Sequence, residues 1–278
     1  MGMSLFVIGE LQDARRHLQS AIELYEPTLH APLALLYSQD LKATAQVYLG
    51  LTSILMGQID DGLAYADEAL AHAERLRHPH SICYVLPFLA GSYLLAGMPQ
   101  TAFPLAERTV ALSGEYGFQQ WRAGGVMLRG WARLDLGEVE SAIVDLRNCI
   151  EGLQATGTLI WMRFAHFLLA RALAKTGGES AALDIIDRLV AEIRTTSGRW
   201  FEAEVHRLRG ELLLAWGRPA GEAEACYDAS LAIAARQGAG LWQLRAMADR
   251  DALWRAQGRT SEVLARQASS ATDVPRPG

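Results

Sequence analysis

Glycine recurs at a fixed 40-residue interval along most of this chain. The interval separates Gly57, Gly97, Gly137, Gly177 and Gly217, then lengthens to 41 before Gly258, whereas Gly9 precedes Gly57 by 48. A period of this length is typical of stacked structural repeats, in which each unit contacts only its neighbours. The chain is therefore predicted to be a repeat array.

A second glycine column and columns of small residues keep the same period. The second column contains Gly117, Gly157, Gly198 and Gly238, and small residues stand at Gly130, Ala142, Ala170 and Ala182. Because glycine adopts the left-handed conformation that ends a helix, two glycine columns indicate two helices per repeat. In the central repeat we expect helices over about 121–136 and 139–155, since apolar residues recur there at three and four positions.

These columns predict an all-α fold. We expect a right-handed superhelical solenoid of about six antiparallel helical hairpins over residues 1–267, with an incomplete first hairpin, and a disordered tail over 268–278. Pro87 and Pro104 fall within predicted helices, where proline kinks or shortens a helix, so the third hairpin is expected to be irregular. The extra residues of the first interval, 26–40, suggest a lid over an apolar inner wall.

The pattern resembles the tetratricopeptide repeat, which keeps a small residue midway along its first helix and a glycine before its second. Gly130, Gly137 and Ala142 match it in one repeat, and Gly50, Gly57, Gly62 and Ala69 in another. The runs 36–40, 201–213, 223–227 and 253–259 also resemble the C-terminal repeat region of bacterial proteins that join a class III adenylate/guanylate cyclase to an ATPase. The resemblance implies a protein-interaction or regulatory module within a larger signalling protein.

Composition excludes other classes of function. The net charge is −5 and only two residues are lysines, so a nucleic-acid backbone is not an expected partner. No apolar run reaches the ~18 residues of a membrane helix, and the N-terminus lacks signal-peptide features, which predicts a cytoplasmic protein without a membrane partner. Cys83, Cys149 and Cys226 are expected to be buried free thiols.

No motif for catalysis or cofactor binding is present. There is no phosphate-binding loop ending in Gly-Lys-Ser/Thr and no Gly-x-Ser-x-Gly elbow. His78 and His80 flank a proline without a third ligand nearby, and Glu202 and His206 are a four-residue helical pair of the kind that stabilises an exposed face. We therefore expect no enzyme activity, cofactor or metal.

The resemblance places candidate binding residues on the first helix of each hairpin, which lines the concave face of such arrays. The middle of this groove is expected to be apolar and its C-terminal part charged, which suits an amphipathic peptide, a partner helix or another domain of the same protein. The predicted groove contains Met127, Trp131, Leu134, Phe164, Phe167, Arg171, Glu204, Arg207, Glu211, Arg245 and Arg255.

Two alternatives remain open at the level of sequence. The array could bind a small molecule in its groove, as in some bacterial transcription regulators, or it could be a free-standing scaffold. For the tryptophan side chains we favour a role in packing between hairpins over a role as a platform on which nucleic-acid bases stack. Apolar surface at an uncapped end of the array makes self-association possible.

Overall fold

The computed structural model describes residues 1–158, 161–193 and 198–272, with side chains described as far as residue 266. Every regular element within these ranges is a helix, which confirms the all-α prediction. The helices are α1 (Gly2–Ile8), α2 (Leu11–Glu23), α3 (Pro27–His30), α4 (Leu33–Tyr37), α5 (Leu41–Leu55), α6 (Ile59–Leu76), α7 (Pro79–Leu95), α8 (Pro99–Glu115), α9 (Gln119–Asp135), α10 (Val139–Thr156), α11 (Met162–Ala174), α12 (Glu179–Ile193), α13 (Glu202–Ala215), α14 (Ala220–Gln237), α15 (Gly240–Ala256) and α16 (Thr260–Thr272).

The first glycine column forms the turns within the helix pairs. Each of these glycines has a positive φ, as at Gly57 (93°) and Gly137 (89°), and each separates two helices that pack together. Successive pairs also pack on each other, through α6 with α7, α8 with α9 and α10 with α11. The expected arrangement of stacked hairpins is therefore confirmed. α16 continues to Thr272, and residues 273–278 lie outside the described part of the chain.

The second glycine column behaves less uniformly. Left-handed φ angles occur at Gly117, Gly157 and Gly238, as the helix-ending interpretation requires. At Gly198, a Cβ atom would lie 3.0 Å from Nη2 of Arg163. The absence of a side chain at Gly198 therefore makes room for a guanidinium, and its role in ending a helix stays a prediction. Arg77, one repeat before Gly117, is left-handed without being glycine.

Neither internal proline shortens its helix. Pro87 lies within α7 and Pro104 within α8, and each helix runs for 17 residues. The third hairpin is therefore not shortened, although shortening was one of the two irregularities expected there. Both helices pack against their neighbours in the array, and this packing outweighs the lost backbone hydrogen bond.

Small residues allow helices α5 and α6 to cross closely. A Cβ atom on Gly50 would lie 2.7 Å from the carbonyl oxygen of Gly62, and one on Gly62 would lie 2.6 Å from that of Gly50. Both distances are shorter than any tolerable contact, so the two backbones can meet only because neither residue has a side chain. The three cysteines are buried free thiols, as expected.

The segment between α2 and α5 is anchored at its end and exposed along its length. Asp40 accepts hydrogen bonds from Tyr25 Oη (2.7 Å) and the Ala43 amide (2.8 Å), and lies 3.0 Å from Nε2 of His72. Leu35 and Leu36, within α4, are 79% and 71% exposed. Much of the apolar surface of α4 therefore faces solvent, whereas Gln39, at the end of the segment, lines an interior cavity. The lid stays a prediction.

The array curls until its first helices meet its last ones. The Arg199 amide donates to the Val7 carbonyl (2.7 Å), and Phe6 stacks on Trp200 at 5.7 Å between ring centroids. On the opposite edge, Nη2 of Arg245 in α15 donates to the carbonyl of Leu95 at the end of α7 (3.1 Å). We refer to these three interactions as the ring contacts, because they close the concave face into an interior. No helix in the described ranges has the length and apolar composition needed to span a bilayer.

Candidate functional site

The interior contains a cavity of about 570 Å³, which we call the central cavity. Its walls come from the first helix of five helix pairs, from α1 to α11 (α1, α5, α7, α9 and α11), and from the turn before α13. This volume lies within the range of small-ligand pockets, roughly 300–1,000 Å³. The lining residues are Phe6, Val7, Tyr48, Leu51, Pro87, Phe88, Gly91, Leu95, Met127, Leu128, Trp131, Trp161, Arg163, Phe164, Gly198, Trp200 and Phe201.

Eight of the seventeen residues that line the central cavity are aromatic. Phe6 packs edge-on against Tyr48 (5.4 Å between centroids), and Tyr48 contacts Phe88 (5.0 Å). On the other side Phe164 contacts Trp131 (5.3 Å) and Trp200 (4.9 Å). Each separation falls in the range of favourable aromatic pairs, so the rings support one another while their remaining faces border open volume.

A second cavity, of about 600 Å³, adjoins the first. Val7, Tyr48, Phe88 and Trp161 line both cavities and form the partition between them. His80 lies in this second cavity, where burial, with a smaller contribution from His78, lowers its pKa, and its Nε2 accepts from Trp121 Nε1 at 3.1 Å. The interior therefore offers two linked apolar spaces.

Two hydrogen-bond donors of the central cavity are unsatisfied. Trp131 is 4% exposed, and its Nε1 is buried without a partner. Nε of Arg163 is also buried without a partner, and the guanidinium makes no hydrogen bond or ion pair with any residue that the structure describes. Among the described residues that line the cavity, Arg163 is the only charged one. Buried polar groups normally have partners, so these two unpaired nitrogens distinguish the lining of the central cavity from an ordinary core.

In the charged part of the predicted groove, by contrast, the charged side chains are paired with one another. Arg207 of α13 donates to Glu204 (2.9 Å) and Glu211 (2.9 Å) and also contacts Asp249 of α15. Arg245 lies 3.5 Å from Glu204 and makes a ring contact. Burial disfavours the charge of Arg207, but the carboxylates of Glu204, Glu211 and Asp249 keep its pKa above the ordinary value. We call these five residues the ionic network.

The structure distributes the eleven predicted groove residues over several environments. Met127, Trp131 and Phe164 line the central cavity, whereas Leu134 and Phe167 are core residues, each 2% exposed. Arg171 pairs with Asp135 at 3.1 Å. Four residues, Glu204, Arg207, Glu211 and Arg245, belong to the ionic network, and Arg255 borders a shallow depression on α15 together with Asp251.

Sequence reasoning missed several residues of the cavity. Trp161 and Phe201 each stand sixteen positions before a glycine of the first column, a regular spacing that the groove prediction did not use. Phe6 and Trp200 could not be found, because they join the cavity only through ring closure. Arg163 precedes Phe164 by one position, outside the expected groove offsets.

The titratable candidates do not form a catalytic arrangement. His78 bonds to Ser81 Oγ (2.8 Å), and burial together with Arg209 lowers the pKa of His206. Burial raises the pKa of the Cys149 thiol to about 12, so it is not a nucleophile at neutral pH. Within the described ranges, no three His, Cys, Asp or Glu side chains are grouped so that they could hold a metal ion.

Comparison with solved structures places this fold among tetratricopeptide-like helical-repeat solenoids. A Rap protein complexed with competence and sporulation factor matches 96% of the chain and 74% of its own length, with a TM-score of 0.63 and 18% identity. A tetratricopeptide protein from Thermus thermophilus matches 76% of the chain and 98% of its own length (TM-score 0.54, 21% identity). At these identities the likeness establishes the fold alone.

A third solved structure is a signal-transduction ATPase with a tetratricopeptide repeat sensor from Pyrococcus horikoshii. It matches 93% of the chain and 39% of its own length, with a TM-score of 0.50 and 13% identity. Among curated proteins, anaphase-promoting complex subunit 5 of Homo sapiens and of Pongo abelii is 29% identical over 114 residues, or 41% of the chain. The chain spans 15% of the length of these relatives, and no protein-family profile matches it.

Proposed function

We propose that this chain is a non-catalytic interaction and regulatory module whose binding site is the central cavity. The observation that carries the proposal is an interior of about 570 Å³ that combines eight aromatic residues with two unsatisfied donors. A well-packed repeat interior would fill such a space with side chains. Apolar side chains of a partner peptide would fill it here and gain the free energy of leaving water.

The relatives support this proposal through what their names state. One solved neighbour is a Rap protein in complex with competence and sporulation factor, and another is a signal-transduction ATPase with a tetratricopeptide repeat sensor. We propose a corresponding role for this chain: a cytoplasmic regulatory array, part of a bacterial signalling ATPase or cyclase, that receives a protein or peptide. Reading the coding sequence on the N-terminal side for a nucleotide-binding loop tests this parent context.

A second candidate is a sensor of small molecules. The size of the central cavity favours it, because 570 Å³ accommodates a drug-sized ligand as readily as two or three peptide side chains. A compound that fills the cavity would stabilise the folded state and raise the melting temperature. A free-standing scaffold, by contrast, would bind through its outer surface and leave the cavity unused.

The binding test uses a substitution that fills the cavity without weakening the fold. Gly91 lies in α7 at the cavity wall, and a Cβ atom there would meet its nearest neighbour, Leu128, at an ordinary 3.5 Å. Gly91→Leu therefore places a side chain in the cavity and removes a helix-weakening glycine. Truncating Phe164 and Phe167 is a poorer test, because both are buried and their loss would cost about 3–5 kcal/mol each.

Gly114→Leu is the matched control. Gly114 lies within α8, and a Cβ atom added there meets no atom within 4 Å. Peptides selected on the immobilised chain from a display library should bind the Gly114→Leu variant as tightly as the original and the Gly91→Leu variant at least tenfold more weakly. Equal binding to both variants would place the site elsewhere on the molecule. Selection of no peptide would favour the small-molecule alternative.

Self-association is a further proposal, supported by the apolar residues exposed around α3 and α4. Leu29, Leu35, Leu36 and Tyr37 are each more than half exposed. Light scattering at increasing concentration should show a rise in mass that the double variant Leu35→Ser/Leu36→Ser abolishes. A constant monomer mass would exclude pairing through this segment.

A further inference from the structure

We infer that the central cavity binds an organic carboxylate with an aromatic or apolar body, and that Arg163 pairs with its carboxylate. This inference rests on the proposed function, because it names the ligand class of the same cavity. It follows from the contrast between one unpaired guanidinium and a wall that is otherwise uncharged among the described residues.

The position of Arg163 is constrained by its surroundings. It is the second residue of α11, and its Nη2 lies against Gly198 so closely that a Cβ atom there would approach to 3.0 Å. Trp161 and Phe164, its neighbours in sequence, line the same cavity. The side chain therefore has little room for rearrangement. No described carboxylate pairs with it, although Asp and Glu outnumber Lys and Arg by 31 to 26.

An unpaired guanidinium beside apolar walls is costly, and a neutral ligand would not relieve the cost. Arginine stays protonated under all physiological conditions and has five N–H donors in a planar fork. A carboxylate matches that fork with two parallel hydrogen bonds, and such charge-assisted bonds are stronger away from water.

The remainder of the wall selects the body of the ligand. Rings of Phe6, Tyr48, Phe88, Phe164 and Trp200 surround the volume, and none of them presents a charge. A flat apolar body can stack on these rings and displace water from them. The combination excludes inorganic anions and polar sugars as good ligands, because neither would bury apolar surface.

The test compares two probes of the same shape: 1-naphthylacetate and 1-naphthylacetamide. They share a bicyclic ring and linker, and differ in whether the head group is an anion or a neutral amide. Calorimetric titration of the full chain should show acetate binding about 10–100-fold tighter than acetamide binding, the range expected for hydrogen bonds to a charged group. Arg163→Gln should reduce the acetate affinity to that of the amide.

Further variants keep the outcome interpretable. Trp131→Phe should weaken both probes by about 2–10-fold, because it removes part of the aromatic surface that the ring of the probe contacts. Gly91→Leu should abolish the binding of both probes, and Gly114→Leu should leave both affinities unchanged. Arg163→Lys keeps the charge without the fork and should give an intermediate preference. A tetrapeptide that ends in phenylalanine, with its C-terminus free or amidated, tests whether the carboxylate belongs to a peptide or to a free organic acid. Whichever of the two binds must prefer the charged form, and the preference must depend on Arg163.

Equal affinities for acetate and acetamide in the unmodified chain would overturn the inference and leave the proposed function standing, provided that Gly91→Leu still blocks binding. The inference would also fall if the preference for acetate survived Arg163→Gln. If neither probe binds while selected peptides still bind the unmodified chain and not Gly91→Leu, the inferred carboxylate ligand is overturned and the proposed function stands. Binding that ignores Gly91→Leu would overturn both proposals.

Discussion

The interior of the ring has an aromatic side and an ionic side, and the two sides treat their polar groups in opposite ways. On the aromatic side, Arg163 and Trp131 line an open cavity, and each has a buried nitrogen without a partner. On the ionic side, the buried Arg207 is surrounded by three carboxylates that neutralise it. Polar groups that are already paired are part of the fold, whereas unpaired ones are available to a ligand.

The largest expected effect comes from breaking the ionic side. Glu204→Ala should lower the free energy of unfolding by about 3 kcal/mol, because it leaves the buried Arg207 short of a partner and removes a contact of Arg245. Urea denaturation measures the change. The control is Glu211→Ala, at a carboxylate that is 58% exposed, and it should cost less than about 1 kcal/mol. Equal losses would show that the network is not held by its buried member.

Asp40, a second buried carboxylate with hydrogen-bond partners, lies in the N-terminal half of the chain. Its substitution should destabilise the fold, as on the ionic side. Burial raises the pKa of Asp40, but hydrogen bonds from His72, the Ala43 amide and Tyr25 outweigh it and lower the pKa below its usual 3.8. Asp40→Asn should cost about 2 kcal/mol at pH 7, since it weakens a helix cap and two side-chain interactions.

The pH dependence of that loss follows from the sign of the shift. A carboxylate with a lowered folded-state pKa contributes stability above its unfolded-state pKa and loses it as the pH falls through the folded-state value. The stability difference between Asp40→Asn and the unmodified chain should therefore be large at pH 5 and shrink towards pH 3. A difference that does not change between these two pH values would mean that the charge of Asp40 is not what stabilises the segment.

A smaller effect is expected at the ring contact that joins the two sides. Arg245→Ala removes a hydrogen bond to the Leu95 carbonyl and a cation–π contact with Trp242 at 5.1 Å, and should cost about 1 kcal/mol. Small-angle scattering should show a larger radius of gyration if the ring opens. Arg255→Ala, on the exposed face of the same helix, should change stability by less than about 0.5 kcal/mol and leave the radius unchanged.

The smallest effect, and the one of opposite sign, is expected on the aromatic side. Arg163→Met removes a buried nitrogen without a partner, so the free energy of unfolding should stay the same or rise by up to about 1 kcal/mol. Arg207→Met serves as the comparison and should be clearly destabilising, because it strands Glu204. A loss of stability in Arg163→Met comparable to that in Arg207→Met would erase the distinction between the two sides.

Local features of the sequence predicted the helix pairs well and the site only in part. The 40-residue period identifies the turns because a left-handed conformation strongly favours glycine, although Arg77 shows that the preference is not absolute. The offsets along the first helices found Met127, Trp131 and Phe164. They assigned the ionic residues to an open groove because ring closure depends on small rotations summed over all repeats, which no local pattern specifies.

The ring contacts also change how the chain is expected to unfold. In an open repeat array every contact is between neighbours, so terminal units can fray and folding can start anywhere. Here Arg245 bonds to a carbonyl 150 residues earlier in the chain, and Val7 bonds to Arg199. Such long-range contacts raise the mean sequence separation of contacting residues, which slows folding. They also couple the stability of the first helix to that of the last repeats. A solenoid closed in this way should lose its structure in one cooperative step, with amide exchange at its two ends as slow as in the middle.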